Sequence, residues 1–155
     1  IEDRFLLAMP PGRKLRGRVR ATPELFEHDR LLLLEEGHCL RDQALAFCHL
    51  RQVEGVDTFG ASSLSTIVQM VANGMGLTFL PEISIGLEAM GGRVSIGRFA
   101  DPEPSRMLGL AWRATSPRKA DFIALGELIV DAVRQCQKPS RPAAGPRSRV
   151  NRLEA

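Results

Sequence analysis

The sequence predicts an α/β fold, because short apolar segments of strand length alternate along the chain with amphipathic helical patterns. The strand-like segments end at glycine or proline, and the helical segments repeat their apolar residues every three or four positions. Such an alternation is typical of strand–helix–strand units, so we expect a largely parallel sheet with helices packed on it. The sequence contains no internal repeat that would indicate a solenoid or a propeller.

The first two predicted strands are both apolar runs with clear ends. Residues 5–9 are stopped by the Pro-Pro-Gly of residues 10–12, and residues 31–34 are four leucines followed by Gly37. Between them, residues 22–24 predict a short helical turn, with a threonine cap and a proline at the first helical position.

A helix is predicted over residues 39–49, with a cysteine at its first position and another nine residues later. Nine helical steps of about 100° place Cys39 and Cys48 on opposite faces, and a rise of about 1.5 Å per residue separates them by roughly 13 Å. A disulfide requires Cα atoms within about 7 Å. The two cysteines are therefore either unrelated, or their bonding rearranges this segment.

The second half of the chain continues the alternation. A strand at residues 56–61 leads to Ser62 and Ser63, which cap a helix that ends near Asn73 and Gly74. The further predicted elements are a strand at 76–81, a short helix at 83–90, a strand at 94–99, a turn at 101–104 and a strand at 107–113.

A last, long amphipathic helix is predicted over residues 118–137. Its apolar residues recur at helical spacing and are expected to face inward: Phe122, Leu125, Leu128, Ile129 and Val133.

Length and composition indicate one soluble domain. The chain has 155 residues, of which 44% are hydrophobic and 25% are charged. No apolar run approaches the length of a membrane span, and the first residues do not resemble a signal peptide. Three cysteines, an odd number, do not form a closed disulfide framework of the secreted kind, so we expect a cytoplasmic protein.

The net charge of +3 comes from the end of the chain. Residues 138–155 contain five basic residues and one acidic residue. This segment is rich in proline, alanine and arginine, so we expect residues 1–137 to form the domain and residues 138–155 to be a disordered basic tail. Weak binding of phosphate groups by this tail is an alternative to a solvated end.

The segments at residues 31–48, 61–66 and 70–81 closely resemble the OxyR-like, peroxide-sensing group of the LysR-type transcriptional regulator family. The most specific part is Gly-His-Cys-Leu-Arg-Asp-Gln at residues 37–43, with its second cysteine nine positions after the first. The later segments are shared more widely among LysR-type effector domains.

This resemblance implies a fold of the type II periplasmic-binding-protein kind, with residues 1–137 as a partial regulatory domain. They correspond mainly to the second subdomain plus the strand and helix that return to the first. The resemblance implies no enzyme and no cofactor. It implies hydrogen peroxide as the signal, a homodimer or homotetramer, no membrane contact, and DNA binding only through a helix-turn-helix domain without counterpart in this chain.

The resemblance also makes Cys39 the peroxide-reactive cysteine and Cys48 its partner in an intramolecular disulfide. Only a thiolate attacks peroxide, and the first turn of a helix offers unpaired N–H groups that stabilise an anion. His38, Arg41 and Asp42 are expected to surround the thiol and add hydrogen-bond donors or charge.

Other interpretations remain open at this stage. The chain could bind a small organic anion near Ser62 and Ser63 without redox chemistry, or it could be a thiol peroxidase, although it has no C-x-x-C motif. Cys39 could be a small buried packing residue, and Cys136 is expected to have no role. The His-Cys pairs at residues 38–39 and 48–49 do not have the spacing of a zinc site, so no metal is expected.

Overall fold

A computed structural model describes residues 1–13, 15, 20–22, 25, 29–50 and 58–136. The described elements are, in chain order, β1 (Glu2–Met9), β2 (Leu31–Leu34), α1 (Cys39–Leu50), β3 (Thr58–Ala61), α2 (Leu64–Ala72), β4 (Thr78–Pro81), α3 (Ile85–Glu88), β5 (Ser95–Arg98), β6 (Ser105–Met107) and α4 (Lys119–Cys136). The α/β class is confirmed. The predictions for residues 23–24, 56–57 and 138–155 lie outside the described residues.

Strand β1 lies at the centre of the larger sheet and is antiparallel to each neighbour described. Leu7 is opposite Phe79 of β4 on one side and Gly97 of β5 on the other, and β6 pairs with the first half of β1. The expectation of a largely parallel sheet is therefore wrong at the centre. A helical crossover makes consecutive strands of one sheet parallel, but the strands that pair with β1 lie much later in the chain, so this rule does not set their direction.

Strands β2 and β3 do form a parallel pair, and backbone hydrogen bonds join this pair to the larger sheet. The Leu32 N–H donates to the carbonyl oxygen of Leu77 at 2.8 Å, and the Leu77 N–H donates to that of Arg30 at 2.9 Å. The buried Thr78 hydroxyl donates to the carbonyl oxygen of Leu32 at 2.6 Å. The first half of β2 is thus bonded to the larger sheet, and the whole strand is paired with β3.

Helices α1 and α2 cover two separate apolar clusters. Alternate residues of β1 supply both clusters, because successive strand side chains point to opposite faces. The cluster beneath α1 contains Phe5, Leu7, Met9, Phe79, Phe99, Ala44 and Cys48. The cluster beneath α2 contains Ala8, Leu80, Ile67, Val68 and Val71. The apolar faces predicted for these two helices are confirmed.

The strand expected at residues 107–113 is shorter than predicted. Pairing with β1 ends where Glu2 is opposite Met107, and the Leu108 N–H donates to the Ile1 carbonyl oxygen at 2.8 Å. Among the described residues, none pairs with residues 108–113 as a strand. The apolar pattern predicted a strand, but a strand also requires a neighbour.

The inward orientation expected for the apolar side of α4 is wrong for most of its residues. Leu125 and Leu128 are 45% and 68% exposed, and Ile129 is also exposed. Phe122 is half-buried, and its ring stacks on Trp112 at 5.8 Å between centroids. Periodicity shows that one side of a helix is apolar, and the described part of this chain does not supply the surface that would cover it.

Within the described residues, no helix is long and apolar enough to cross a membrane.

Replacing Gly76 by alanine is expected to destabilise the fold by about 2–3 kcal/mol. A Cβ at this position would lie 2.4 Å from the carbonyl oxygen of Arg30, which accepts the Leu77 N–H that joins β2 to β4. The free energy of unfolding in urea measures the effect. Gly86→Ala is the matched control, because a Cβ at Gly86 would meet no atom within 4 Å. Equal effects of the two substitutions would contradict this account.

Candidate redox site at the start of helix α1

A tight turn connects the end of β2 to the first residue of α1. The Glu35 N–H donates to the Ala61 carbonyl oxygen at 3.1 Å, and the His38 N–H donates to that of Glu35 at 3.4 Å. Gly37 has a φ of 91°, which favours glycine over residues with a side chain. The helix then begins at Cys39, as the sequence predicts.

Cys39 is exposed, and its position in the first turn places it beside backbone N–H groups without a helical partner. Exposure does not fit the interpretation of Cys39 as a buried packing residue. It gives a small oxidant access to the sulfur, and the adjacent N–H groups favour a negative charge there.

Cys48 has the opposite environment on the same helix. It is 3% exposed and belongs to the apolar cluster that also contains Phe79 and Phe99. This burial raises the pKa of the Cys48 thiol to about 11. The helix is continuous from Cys39 to Leu50, so the two cysteines lie on opposite faces and are separated by a rise of roughly 13 Å along its axis. Cys48 is therefore a neutral and inaccessible thiol while α1 is intact.

Phe47 anchors the end of α1 next to Cys48. Its ring makes edge contacts with Phe79 at 5.8 Å and with Phe99 at 5.3 Å, and these two rings stack on each other at 4.8 Å. Together with Ala44, these contacts attach the second half of α1 to the sheet. The first turn, which carries Cys39, has fewer buried side chains.

The three residues expected around Cys39 have different environments. His38 and Asp42 are exposed, next to the first turn and within it. Arg41 is half-buried, and its Nη1 donates a hydrogen bond to the carbonyl oxygen of Leu34 at 3.1 Å. All three lie within three positions of Cys39, and the Arg41 guanidinium is directed to the end of β2.

Ser62 and Ser63 lie at the start of α2, a different helix from the one that carries the cysteines. The Ser63 Oγ accepts the Thr66 N–H at 3.2 Å, as expected for a helix cap. One turn away, the Ser65 hydroxyl donates to the carboxylate of Glu88 at 2.9 Å. A carboxylate at this end of α2 disfavours an anionic ligand, so capping explains Ser63 better than anion binding does.

Sequence reasoning missed two groups of ion pairs that hold the segment facing α1. The Glu103 carboxylate lies 3.0 Å from Arg20 and from Arg98 and 3.6 Å from Arg4. A hydrogen bond from Arg98 lowers the pKa of Glu103. Asp3 is buried and pairs with Arg106 at 2.9 Å. Asp3 and Arg106 lie far apart in the sequence and meet only through the pairing of β1 with β6. Arg98 and Glu103 are five residues apart, but no helical or strand spacing in the sequence brings them together.

One polar atom of α1 has no hydrogen-bond partner within the described part of the chain, the buried Oε1 of Gln43. Gln43 lines an open groove between α1 and residues 102–105, together with Ala46 and Phe47. Among the residues whose side chains are described, no three His, Cys, Asp or Glu residues converge as a metal site would require. The side chains of His49 and Cys136 are outside that set.

The burial of Cys48 predicts how stability depends on pH. The unfolded chain releases the thiol proton near the ordinary pKa of 9.0, whereas the folded protein retains it up to about 11. This contribution to stability is therefore fully present below pH 9.0 and is lost as the pH rises to about 11. The loss should amount to about 2–3 kcal/mol.

Urea unfolding of the reduced protein across that pH range measures the loss, with Cys48→Ala as the control. The variant has no thiol at this position, so its stability should fall less over the same range. An identical pH dependence of the two proteins would show that Cys48 is not the group responsible.

Comparison with known proteins gives one consistent result. The family described as LysR substrate binding domain matches residues 1–134. The "probable hydrogen peroxide-inducible genes activator" of Mycobacterium avium is 40% identical over 133 residues, which are 85% of this chain and 43% of the relative.

Solved structures agree with this match. A full-length cysteine-to-aspartate variant of OxyR from Pseudomonas aeruginosa superposes with a TM-score of 0.74 at 32% identity, covering 92% of this chain and 48% of that one. A cysteine-to-serine mutant of Corynebacterium glutamicum OxyR, bound to H₂O₂, superposes with a TM-score of 0.71 at 28% identity, covering 88% of this chain and 44% of that one. The chain thus spans less than half the length of each of these proteins.

Proposed function

The chain belongs to the LysR substrate-binding domain family, and from that premise we propose that it is the peroxide-sensing regulatory part of an OxyR-like transcription regulator. Cys39 reacts with hydrogen peroxide, and it then forms a reversible disulfide with Cys48. The oxidised and reduced forms of α1 are the two states of the switch.

The observation that carries this proposal is the contrast between the two cysteines on one helix. Cys39 is exposed at the first position of α1, whereas Cys48 is buried beneath its second half. An exposed thiol beside helical N–H groups is suited to meet a small oxidant. A buried thiol cannot resolve the product until the helix opens, so the second step carries the conformational change.

The chemistry balances in two steps. The Cys39 thiolate attacks one peroxide oxygen, the O–O bond breaks, and the leaving hydroxide takes a proton to become water, so that Cys39 becomes a sulfenic acid. The Cys48 sulfur then attacks the Cys39 sulfur and displaces the hydroxyl group, and the Cys48 proton leaves with it as a second water. Two electrons pass from the pair of thiols to one peroxide.

The similar proteins support this assignment. The Mycobacterium avium relative is named as a peroxide-inducible gene activator, and one of the superposable OxyR structures is bound to H₂O₂ with a cysteine replaced by serine. The relative is named as an activator of genes, and we propose that this chain likewise is part of a regulator and not an enzyme, acting in the cytoplasm without a cofactor.

The remainder of the regulator would complete the domain and supply its output. We propose that residues 1–137 are a partial regulatory domain and residues 138–155 a basic tail. The exposed apolar side of α4 would be covered by the first subdomain of the whole protein. DNA binding through a helix-turn-helix domain and assembly into a homodimer or homotetramer would also be properties of the whole protein.

Disulfide mapping tests the proposal. The reduced chain is treated with one equivalent of hydrogen peroxide and digested without reductant, and its linked peptides are identified by mass spectrometry. We expect a Cys39–Cys48 linkage that dithiothreitol reverses. Unchanged thiols would contradict the proposal and favour an anion-binding module, and continuous peroxide consumption in the presence of reductant would favour a thiol peroxidase.

A further inference from the structure

We propose that Arg41 is a positioning residue whose side chain holds the first turn of α1 against the end of β2 in the reduced protein. We call this contact the latch. This inference rests on the proposed function, because it concerns the opening that allows Cys39 and Cys48 to meet. It differs from the role expected from the sequence, in which Arg41 activates the Cys39 thiol.

The latch is the hydrogen bond from Arg41 Nη1 to the carbonyl oxygen of Leu34, at 3.1 Å. Leu34 is the last residue of β2, a strand that pairs with β3 and is bonded to Leu77 through its own backbone. Arg41 lies in the first turn of α1 and is half-buried. The bond therefore joins the first helical turn of α1 directly to the sheet, in addition to the covalent connection through residues 35–38.

A charged donor makes this bond stronger than a neutral one, and partial burial reduces its competition with water. In addition, the backbone N–H of Arg41 donates to the His38 carbonyl oxygen at 2.9 Å. Both the backbone and the side chain of Arg41 therefore hold the start of the helix. The guanidinium is directed to a backbone oxygen of the strand, where it stabilises the closed conformation.

Formation of the disulfide requires this bond to break. The positions of the two cysteines are separated by a rise of roughly 13 Å along the helix, and Cys39 lies in the exposed first turn. Closing that separation moves the first turn away from the end of β2, whether or not the second half of α1 also leaves the apolar cluster. Arg41 moves with that turn, and Leu34 stays with the sheet. The bond exists before opening and not after it, so it slows disulfide closure without affecting the attack of Cys39 on peroxide.

The experiment separates the two steps in Arg41→Met and Arg41→Lys. The rate of Cys39 oxidation is measured in a Cys48→Ser background, where the sulfenic acid is trapped with dimedone and quantified by mass spectrometry. The rate of disulfide closure is measured in the chain with both cysteines after rapid mixing with excess hydrogen peroxide. Arg93→Met is the matched control, because Arg93 is exposed and its substitution removes the same charge from the chain.

We expect Arg41→Met to accelerate closure by about 5- to 10-fold with Cys39 oxidation unchanged. Arg41→Lys should show a smaller acceleration, because lysine retains the charge but not the planar donor group. If Arg41→Met slows Cys39 oxidation and Arg41→Lys restores its rate, the latch is wrong, and the positive charge of Arg41 promotes the oxidation instead. Unchanged rates in both variants would overturn it as well.

Hydrogen exchange of the reduced chain gives a readout that does not depend on the disulfide. Amides in α1 should exchange faster in Arg41→Met than in the parent and in Arg93→Met. If no Cys39–Cys48 disulfide forms in the parent, the proposed function fails, and this exchange measurement alone decides the latch. Unchanged exchange in Arg41→Met would contradict it.

Discussion

Cys39→Ser is expected to abolish both peroxide consumption and the disulfide, whereas Cys48→Ser should abolish only the disulfide. In the proposed mechanism, the exposed Cys39 reacts directly with the oxidant, and the buried Cys48 acts only after α1 opens. In Cys48→Ser, the rate of Cys39 oxidation should stay within about twofold of the parent, because the second thiol takes no part in the first step. Dimedone labelling of Cys39 and mass spectrometry measure both effects.

The third cysteine supplies the control for this pair. Cys136→Ser should leave the Cys39–Cys48 linkage and the oxidation rate unchanged, since Cys136 lies at the end of α4, a different element. Loss of Cys39 oxidation in Cys48→Ser would contradict the division of roles. It would indicate that Cys48 is the thiol that first meets peroxide.

Phe47→Ala is expected to lower the free energy of unfolding by roughly 3 kcal/mol and to accelerate disulfide closure. The substitution removes the ring of α1 that contacts Phe79 and Phe99, and it leaves a cavity in the cluster that contains Cys48. Opening of α1 breaks the same contacts. The free energy required for opening is therefore lower in the variant, which lacks these contacts from the start. Urea unfolding measures the first effect, and rapid mixing with peroxide measures the second.

Phe59→Ala is the matched control, because the Phe59 side chain on β3 is 47% exposed. Its stability and closure rate should remain close to those of the parent. If Phe47→Ala does not fold, Phe47→Leu retains most of the apolar contact and should show a smaller change in the same direction. A variant that is less stable but closes no faster would show that Phe47 stays packed when the disulfide forms.

The parts of this molecule that could be predicted from sequence are those whose signals are local. The cap at Ser63, the start of α1 at Cys39 and the apolar sides of α1 and α2 depend on residues within one or two turns of each other. The separation of Cys39 and Cys48 follows from helix geometry once the helix is predicted. The sequence therefore predicts the helix and the positions of its two cysteines correctly, and the roles of the site residues stay predictions.

The features that could not be predicted depend on residues distant in sequence. The antiparallel direction of β1 is set by its pairing with β4 and β5, which lie about seventy or more residues later. The Asp3–Arg106 pair forms only once β1 and β6 are in register. For α4 the sequence pattern correctly predicts that one side of the helix is apolar. It does not predict which surface covers that side.

The structure also changes the interpretation of the residues around Cys39. Sequence spacing groups His38, Arg41 and Asp42 as neighbours of one thiol, but side-chain direction differs among them. Arg41 is directed to the Leu34 carbonyl oxygen, whereas His38 and Asp42 are exposed. We therefore propose different side chains for the two roles, Cys39 for the reaction with peroxide and Arg41 for control of the helix.

The central claim is that the Cys39–Cys48 disulfide forms at the expense of α1, and hydrogen exchange of the α1 amides tests it most directly. Exchange is followed by mass spectrometry in the reduced chain, in the oxidised chain and in peroxide-treated Cys48→Ser. We expect the amides of α1 beyond its first turn to be protected in the reduced chain and in Cys48→Ser, and to lose that protection in the disulfide form alone. A linked pair of cysteines with α1 still protected would contradict it.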